Sequence, residues 1–403
     1  MRIQDGVPAR PAASDPPLRG LRVLDTATLY AGPFISTLLA DHGADVIKVE
    51  PPGGDPYRAR AMWPILARDK RSITLNLRSE EGCELLRQLA RHVDVLVVNM
   101  LPGQLERRGL TWERLSAINP DLVLVCVTSF GLDGPNAELP GSGTLGEAFA
   151  GLTHLTGDPA DRPMLASVPL GDAVTGMVGA FGVLAACLSR ANGGPGRVVD
   201  VNPVDALLHV AAPALAEWTP GEPAPGRLAG RLAGSPVRNT YRCKDGTWVA
   251  ISCSTSRHLT ELLDLVGYRD DEEEDVIGDA DGGAIDRAVA AWAARSVRAE
   301  ILAVMNARRL PVVPVHDAAS LTDDPHAQAR RAVRTVDSQD VGPRLVPAPA
   351  PRFGPRAAAA DGSAVPDAPR RCPDMGEHTA EVLGGLLGLD DERLAGLRRE
   401  GVI

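Results

Sequence analysis

Between residues 21 and 128, short apolar runs alternate with stretches of helical spacing, and this alternation restricts the fold more than any other feature of the chain. Residues 21–24 (Leu-Arg-Val-Leu) read as a strand, residues 31–42 set Phe34, Leu38 and Leu39 at helical intervals, and residues 44–49 read as a second strand. A β-α-β unit of this length implies a parallel pair joined by a right-handed crossover. The pattern continues with a helix over 80–92 and strands over 94–99 and 122–128. The expected fold class is therefore α/β, with a Rossmann-like sheet covered by helices.

The 403 residues allow two or three domains. Residues 1–19 are rich in proline and polar side chains and read as a flexible N-terminal arm, followed by a large domain over 20–218. Residues 219–236 are dense in Pro and Gly, a linker signal. Residues 239–253 then alternate like strands about a Lys244-Asp245-Gly246 turn, and helical spacing runs to about 309. Linker and small α+β domain together cover 219–330. The acidic run 270–275 reads as a solvated loop, and 335–371 as an extended connection. Residues 331–403 end in two helices, 379–387 and 391–399.

Composition removes several classes of function. The formal net charge of -10 argues against nucleic acid, whose phosphates need a basic face, and 3% aromatic residues leave little for base stacking. The six cysteines, Cys83, Cys126, Cys187, Cys243, Cys253 and Cys372, form no C-x-x-C pair and read as reduced thiols of a cytoplasmic protein. The first residues hold no apolar signal core. The longest apolar stretch, 173–188, is expected to be too short for a membrane span. The histidines show no metal-ligand spacing, and no G-x-S-x-G elbow is present. His378, ahead of a helix, reads as a structural residue.

Residues 141–146 (Gly-Ser-Gly-Thr-Leu-Gly) match G-x-G-x-x-G, but no strand precedes them. A dinucleotide fingerprint needs strand, turn and helix in that order, so a flexible loop is expected. In residues 169–176 an acidic residue, Asp172, opens a helix of small residues: Gly176, Gly179, Ala180, Gly182, Ala185 and Ala186. Taken alone, Asp172 reads as a helix N-cap. The same position favours the ionised carboxylate, and a carboxylate can act as a nucleophile.

The chain resembles the family III coenzyme A transferases, the CaiB/BaiF family, through motifs that follow one another over nearly its whole length. They are Leu21-Arg22-Val23-Leu24-Asp25, Ala31-Gly32-Pro33, the run from Leu39 to Glu50, Pro52-Gly53-Gly54-Asp55, Lys70-Arg71-Ser72-Ile73 and Leu75-Asn76-Leu77. Residues 94–99, Pro102-Gly103, Asn119-Pro120, Phe130-Gly131, Gly134-Pro135, Gly171-Asp172 and Gly376-Glu377-His378-Thr379 complete the series. The resemblance implies a large Rossmann-like domain built from both chain ends, with 331–403 returning to it, a small domain between, and an interlocked homodimer. It implies transfer of CoA from an acyl-CoA to a carboxylic acid acceptor, with Asp172 passing through an aspartyl anhydride and an aspartyl-CoA thioester. It carries CoA contacts onto Leu29, Ala31, Leu75, Arg78, Asn99, Met100 and Arg107, with Lys70 and Arg71 as further phosphate candidates. Arginine suits phosphate through its rigid fork of donors. No metal, nucleic acid or membrane is implied.

Departures bear on the substrate. Ser142-Gly143 stands where the family often carries a tyrosine and an acid, and Glu147 stands near a position that is often Gln. Tyr30 replaces the Gln of the oxalate-handling members, which argues against oxalate as acceptor. Residues 227–235 match their glycine-rich lid poorly. Glu147 and Tyr30 are candidate assisting residues. Two alternatives remain. One is an isomerase like the α-methylacyl-CoA racemases of the same fold, disfavoured because their histidine is replaced by the 142–146 segment. The other is an acyl-CoA-binding relative without turnover.

Overall fold

The computed structural model describes residues 16–232, 235, 237–269, 283–353 and 371–403. Contacts divide the chain into two units. One holds the described residues of Met1–Gly151, Ala166–Ala212 and Arg330–Ile403; the other holds those of Leu152–Leu165 and Pro213–Ala329.

In the first unit six strands form one parallel sheet: β1 (Arg22–Asp25), β2 (Asp45–Glu50), β3 (Arg71–Thr74), β4 (Val95–Val98), β5 (Val123–Val127) and β6 (Arg197–Val201). Their order is β3-β2-β1-β4-β5-β6, the doubly wound Rossmann order. The register sets Leu24 beside both Ile47 and Leu96, and Leu96 beside Leu124. Alternate residues then face opposite layers. Leu24, Ile47, Leu96 and Leu124 pack under α2 (Glu80–Ala90) through Leu85, Leu86 and Leu89. Val23, Val46, Val95 and Val125 pack under α1 (Ala31–Ala40) and a long later helix. Burial on both faces explains the nearly continuous apolar runs of the central strands.

The strands expected at 21–24, 44–49, 94–99 and 122–128 are all present within a residue or so of those limits. β3 and β6 were not expected. Arg71-Ser72-Ile73-Thr74 looks polar because its hydroxyls are satisfied inside the fold: Ser72 Oγ donates to Glu50 at 2.6 Å, and the Thr74 and Thr379 hydroxyls share a hydrogen bond at 3.4 Å.

After β5 come α3 (Gly143–Phe149), α4 (Leu170–Ala191) and α5 (Pro203–Glu217). The G-x-G-x-x-G segment thus enters a helix rather than staying a loop. α4 also corrects the expected length of the apolar stretch. At 22 residues it is long enough and apolar enough to cross a membrane, and Gly176 and Gly179 seat one face of it against Phe34 and Ile35 of α1.

The second unit holds an antiparallel sheet of β7 (Val237–Arg242), β8 (Trp248–Cys253) and β9 (Val312–Pro314). Its core joins Tyr241, Val249 and Ile251 to α6 (Ser256–Val266), α7 (Gly283–Ala293) and α8 (Arg298–Ala307). Residues 152–165, expected in the large domain, belong here, because Arg227 donates to the carbonyls of His154, Asp158 and Asp161. The acidic run 270–275 lies outside the described residues.

In the first unit, the expected extended connection contains a hairpin, β10 (Val333–Val336) with β11 (Arg344–Pro347), whose Val336 and Val346 are buried with Trp63 and Cys372. The chain ends in α9 (Thr379–Leu387) and α10 (Asp391–Arg399), which match the expected bounds and place Val382, Leu383, Leu394 and Leu397 in the main core. His378 sits at the start of α9, where its Nδ1 accepts from the Ser72 N–H at 3.2 Å, a structural role as expected.

Candidate active site

In a doubly wound sheet, ligands bind where neighbouring strands send their connections to opposite faces. Here that point lies between β1 and β4. The loops leaving these strands are clipped together: the Thr28 N–H donates to Asn99 Oδ1 at 3.1 Å, and Asn99 Nδ2 donates to the Thr28 carbonyl at 2.9 Å. Leu29 follows with φ of 67°, a left-handed conformation uncommon for a branched residue, and its side chain is 51% exposed. Leu29, Tyr30, Ala31, Asn99 and Met100 therefore gather at one end of the sheet. Arg78 and Arg107 are exposed and have no carboxylate partner among the described residues.

Three other candidates are placed differently. Lys70 is buried, and its ammonium donates to Asp25 at 2.9 Å, to the Pro33 carbonyl at 2.8 Å and to Ser36 at 2.8 Å. Burial pushes its pKa down to about 8 against the pull of Asp25. All three donors of Lys70 are occupied, so it supports the loop rather than offering a phosphate contact. Arg71 is held by Asp45 at 2.7 Å and Glu381 at 3.0 Å. The Leu75 side chain lies in the core, which leaves only its backbone to face a ligand.

The Asp25 pair belongs to a buried network not foreseen from sequence. Asp25 Oδ1 accepts from the Ala27 N–H at 3.0 Å, Lys48 donates to the Ala27 carbonyl, and Lys48 pairs with Asp55 at 3.3 Å. Burial pushes Asp25 up, but Lys48, Lys70 and Ser36 outweigh it and hold the carboxyl below its usual range. The loop carrying Leu29 and Tyr30 is thereby fixed at Ala27 through both peptide groups. The visible signal was the Asp that closes the first apolar run.

Asp172 is the third residue of α4, not its N-cap, which is Pro169. It is half-buried and packs directly against Gly143. A β-carbon on Gly143 would lie 2.5 Å from Asp172 Oδ2, and one on Gly171 would lie 2.7 Å from the Gly143 carbonyl carbon. The two helix starts meet only because both residues are glycine. Burial, and then the charge of Glu147, push the Asp172 carboxyl above its usual range, while the Gly143 N–H pulls the other way. This reverses the expectation drawn from the helix position alone.

Glu147 is 3% exposed; its Oε1 accepts from the Gly171 N–H at 3.1 Å and its Oε2 from the Ala166 N–H at 3.4 Å. Tyr30 stands just before α1, its ring 5.4 Å from that of Phe34. Burial raises its phenol, Arg68 opposes this, and the charge of Asp172 adds to it, so Tyr30 and Asp172 are within electrostatic reach. The structure thus brings together Asp172, Gly143, Glu147 and Tyr30. Among the described residues no group of His, Cys, Asp and Glu is arranged to hold a metal.

A parallel sheet with its switch point between β1 and β4, and a half-buried aspartate opening a glycine-rich helix, defines a doubly wound α/β protein of the ligand-binding type. The model of CoA-transferase family III matches residues 18–379, and the chain belongs to that family: it is a CoA-transferase acting between acyl-CoA thioesters and acids. It is 36% identical to the succinyl-CoA–L-malate CoA-transferase beta subunit of Chloroflexus aurantiacus, over 96% of this chain and 98% of that one. It is 33% identical to the succinyl-CoA–D-citramalate CoA-transferase of the same organism, with the same coverage. Among solved structures, a CaiB/BaiF family protein from Brucella suis superposes with a TM-score of 0.77 at 29% identity, covering 92% of this chain and 100% of that one.

Proposed function

We propose that this enzyme transfers CoA by covalent catalysis at Asp172. A carboxylate oxygen of Asp172 attacks the thioester carbonyl, the C–S bond breaks, and CoA leaves as the thiolate. The thiolate attacks the aspartyl carbonyl of the resulting anhydride, which releases the donor acid and leaves an aspartyl-CoA thioester. An acceptor carboxylate displaces the thiolate again, and the thiolate then takes the acceptor acyl group and frees Asp172. Each step becomes local because the nucleophile is held in place. The observation that carries this reading is the half-buried Asp172 carboxylate set directly against Gly143 at a glycine-lined helix start.

CoA lies over the β1–β4 crevice, against Leu29, Ala31, Asn99 and Met100, with Arg78 and Arg107 meeting its phosphates; Leu75 contributes through its backbone. The donor is succinyl-CoA and the acceptor a 2-hydroxy dicarboxylic acid, the chemistry shared by malate and citramalate in the names of the two relatives. The enzyme is a cytoplasmic homodimer, interlocked as in its family. Support comes from an exposed apolar stripe on α4, where Met177, Phe181, Leu184 and Leu188 recur at helical intervals and Phe181 is 72% exposed.

Asp172→Ala tests the mechanism. The variant is expected to lose transfer from succinyl-CoA to L-malate while still binding CoA. In the native enzyme, succinyl-CoA followed by hydroxylamine is expected to leave a hydroxamate on Asp172, read by mass spectrometry. Native-rate transfer by the alanine variant would sink the covalent scheme.

A further inference from the structure

Buried carboxylates normally sit beside a cation, because an unpaired buried charge costs several kcal/mol. Asp25, Glu50 and Asp55 follow that rule here, paired with Lys70, Arg58 and Lys48. Glu147, equally buried, has no ion pair among the described residues. Its two oxygens accept only backbone N–H groups, those of Gly171 and Ala166.

The Gly171 N–H is the clue to why. The first four N–H groups of a helix have no partner inside it, and a side-chain oxygen at the N-cap usually serves the second or third. α4 has Pro169 at its N-cap, which makes no side-chain cap. Glu147 supplies the missing acceptor from α3. Asp172 on α4 lies in turn directly against Gly143, the first residue of α3. The glycines at 143 and 171 allow the two helix starts to approach this closely.

We propose that Glu147 is a positioning residue for Asp172: by capping α4 from α3 it locks the Leu170-Gly171-Asp172 peptide against Gly143. This rests on Asp172 being the nucleophile. The titratable groups facing Asp172 are Glu147 on α3 and the Tyr30 phenol before α1; Gly143 adds only its N–H. Burial first, then Glu147, raises the Asp172 carboxyl, so removing the Glu147 charge lowers it.

The test compares Glu147→Gln, Glu147→Ala and Asp172→Ala in the full-length enzyme, using a donor acyl-CoA that the native enzyme is first shown to accept. Glu147→Gln keeps an oxygen for the Gly171 N–H and loses only the charge. Its kcat is expected to stay within about fivefold of native, while the acid limb of its kcat/KM profile moves to lower pH. Glu147→Ala loses both, and its kcat is expected to fall about 10²-fold, the scale of a nucleophile displaced by about 1 Å, with KM for the acyl-CoA little changed. Rescue by Gln of what Ala loses is the signature of positioning. A native kcat in Glu147→Ala, or an unmoved acid limb in Glu147→Gln, overturns the proposal. Should Glu147→Ala fail to fold, the Gln profile decides alone. Transfer by Asp172→Ala would instead overturn the underlying mechanism, whatever the Glu147 variants do.

Discussion

Gly143 shows how much one missing β-carbon controls. A methyl group there would sit 2.5 Å from the Asp172 carboxylate. Gly143→Ala is expected to keep the fold at a cost of about 1–3 kcal/mol, measurable by urea unfolding, while kcat drops about 10²-fold. The position had been visible in the sequence only as a departure, a glycine where the family often carries an acid. Its close contact with Asp172 depends on which residue lies 29 positions further along, and no local pattern reports that. The direction in which the Asp172 carboxyl shifts escapes the local pattern for the same reason. A helix N-terminus favours the anion, but burial and Glu147 win. The attacking form is the carboxylate, so activity rises with pH through the Asp172 pKa. The acid limb of kcat/KM is therefore expected above the ordinary aspartate value of 3.8, as read from initial rates across pH.

At the scale of elements, the central strands were legible because burial on both faces makes them apolar throughout. β3 escaped because its polar side chains are satisfied by Glu50 and Thr379, which lie far off in sequence. Lys70 shows the converse. Next to a strand it looked like a phosphate ligand, but the fold turned it inward to hold Asp25 and the start of α1. The β1 and β4 loops meet through the two hydrogen bonds between Asn99 and Thr28. Removing them with Asn99→Ala frees the loop bearing Leu29. CoA affinity is expected to weaken about tenfold by calorimetry, the size of one or two net hydrogen bonds, with little change in melting temperature.

At the scale of the molecule, the α4 stripe carries the homodimer proposal. Phe181→Asp places a charge at its centre, and light scattering is expected to show a shift from dimer to monomer; an unchanged dimer would put the interface elsewhere. The sequence by itself determined the α/β class, the β1–β2–β4–β5 core and the two closing helices, because each follows from periodicity within about a dozen residues. The ordered motifs also pointed to the transferase family that the comparisons established. Only the tertiary structure decided that Lys70 and Arg71 are struts, that residues 152–165 join the second unit, and that Glu147 of α3 caps α4 beside Asp172. Those outcomes depend on contacts between residues distant along the chain, and burial then sets the strength of each charge. A one-dimensional pattern records neither.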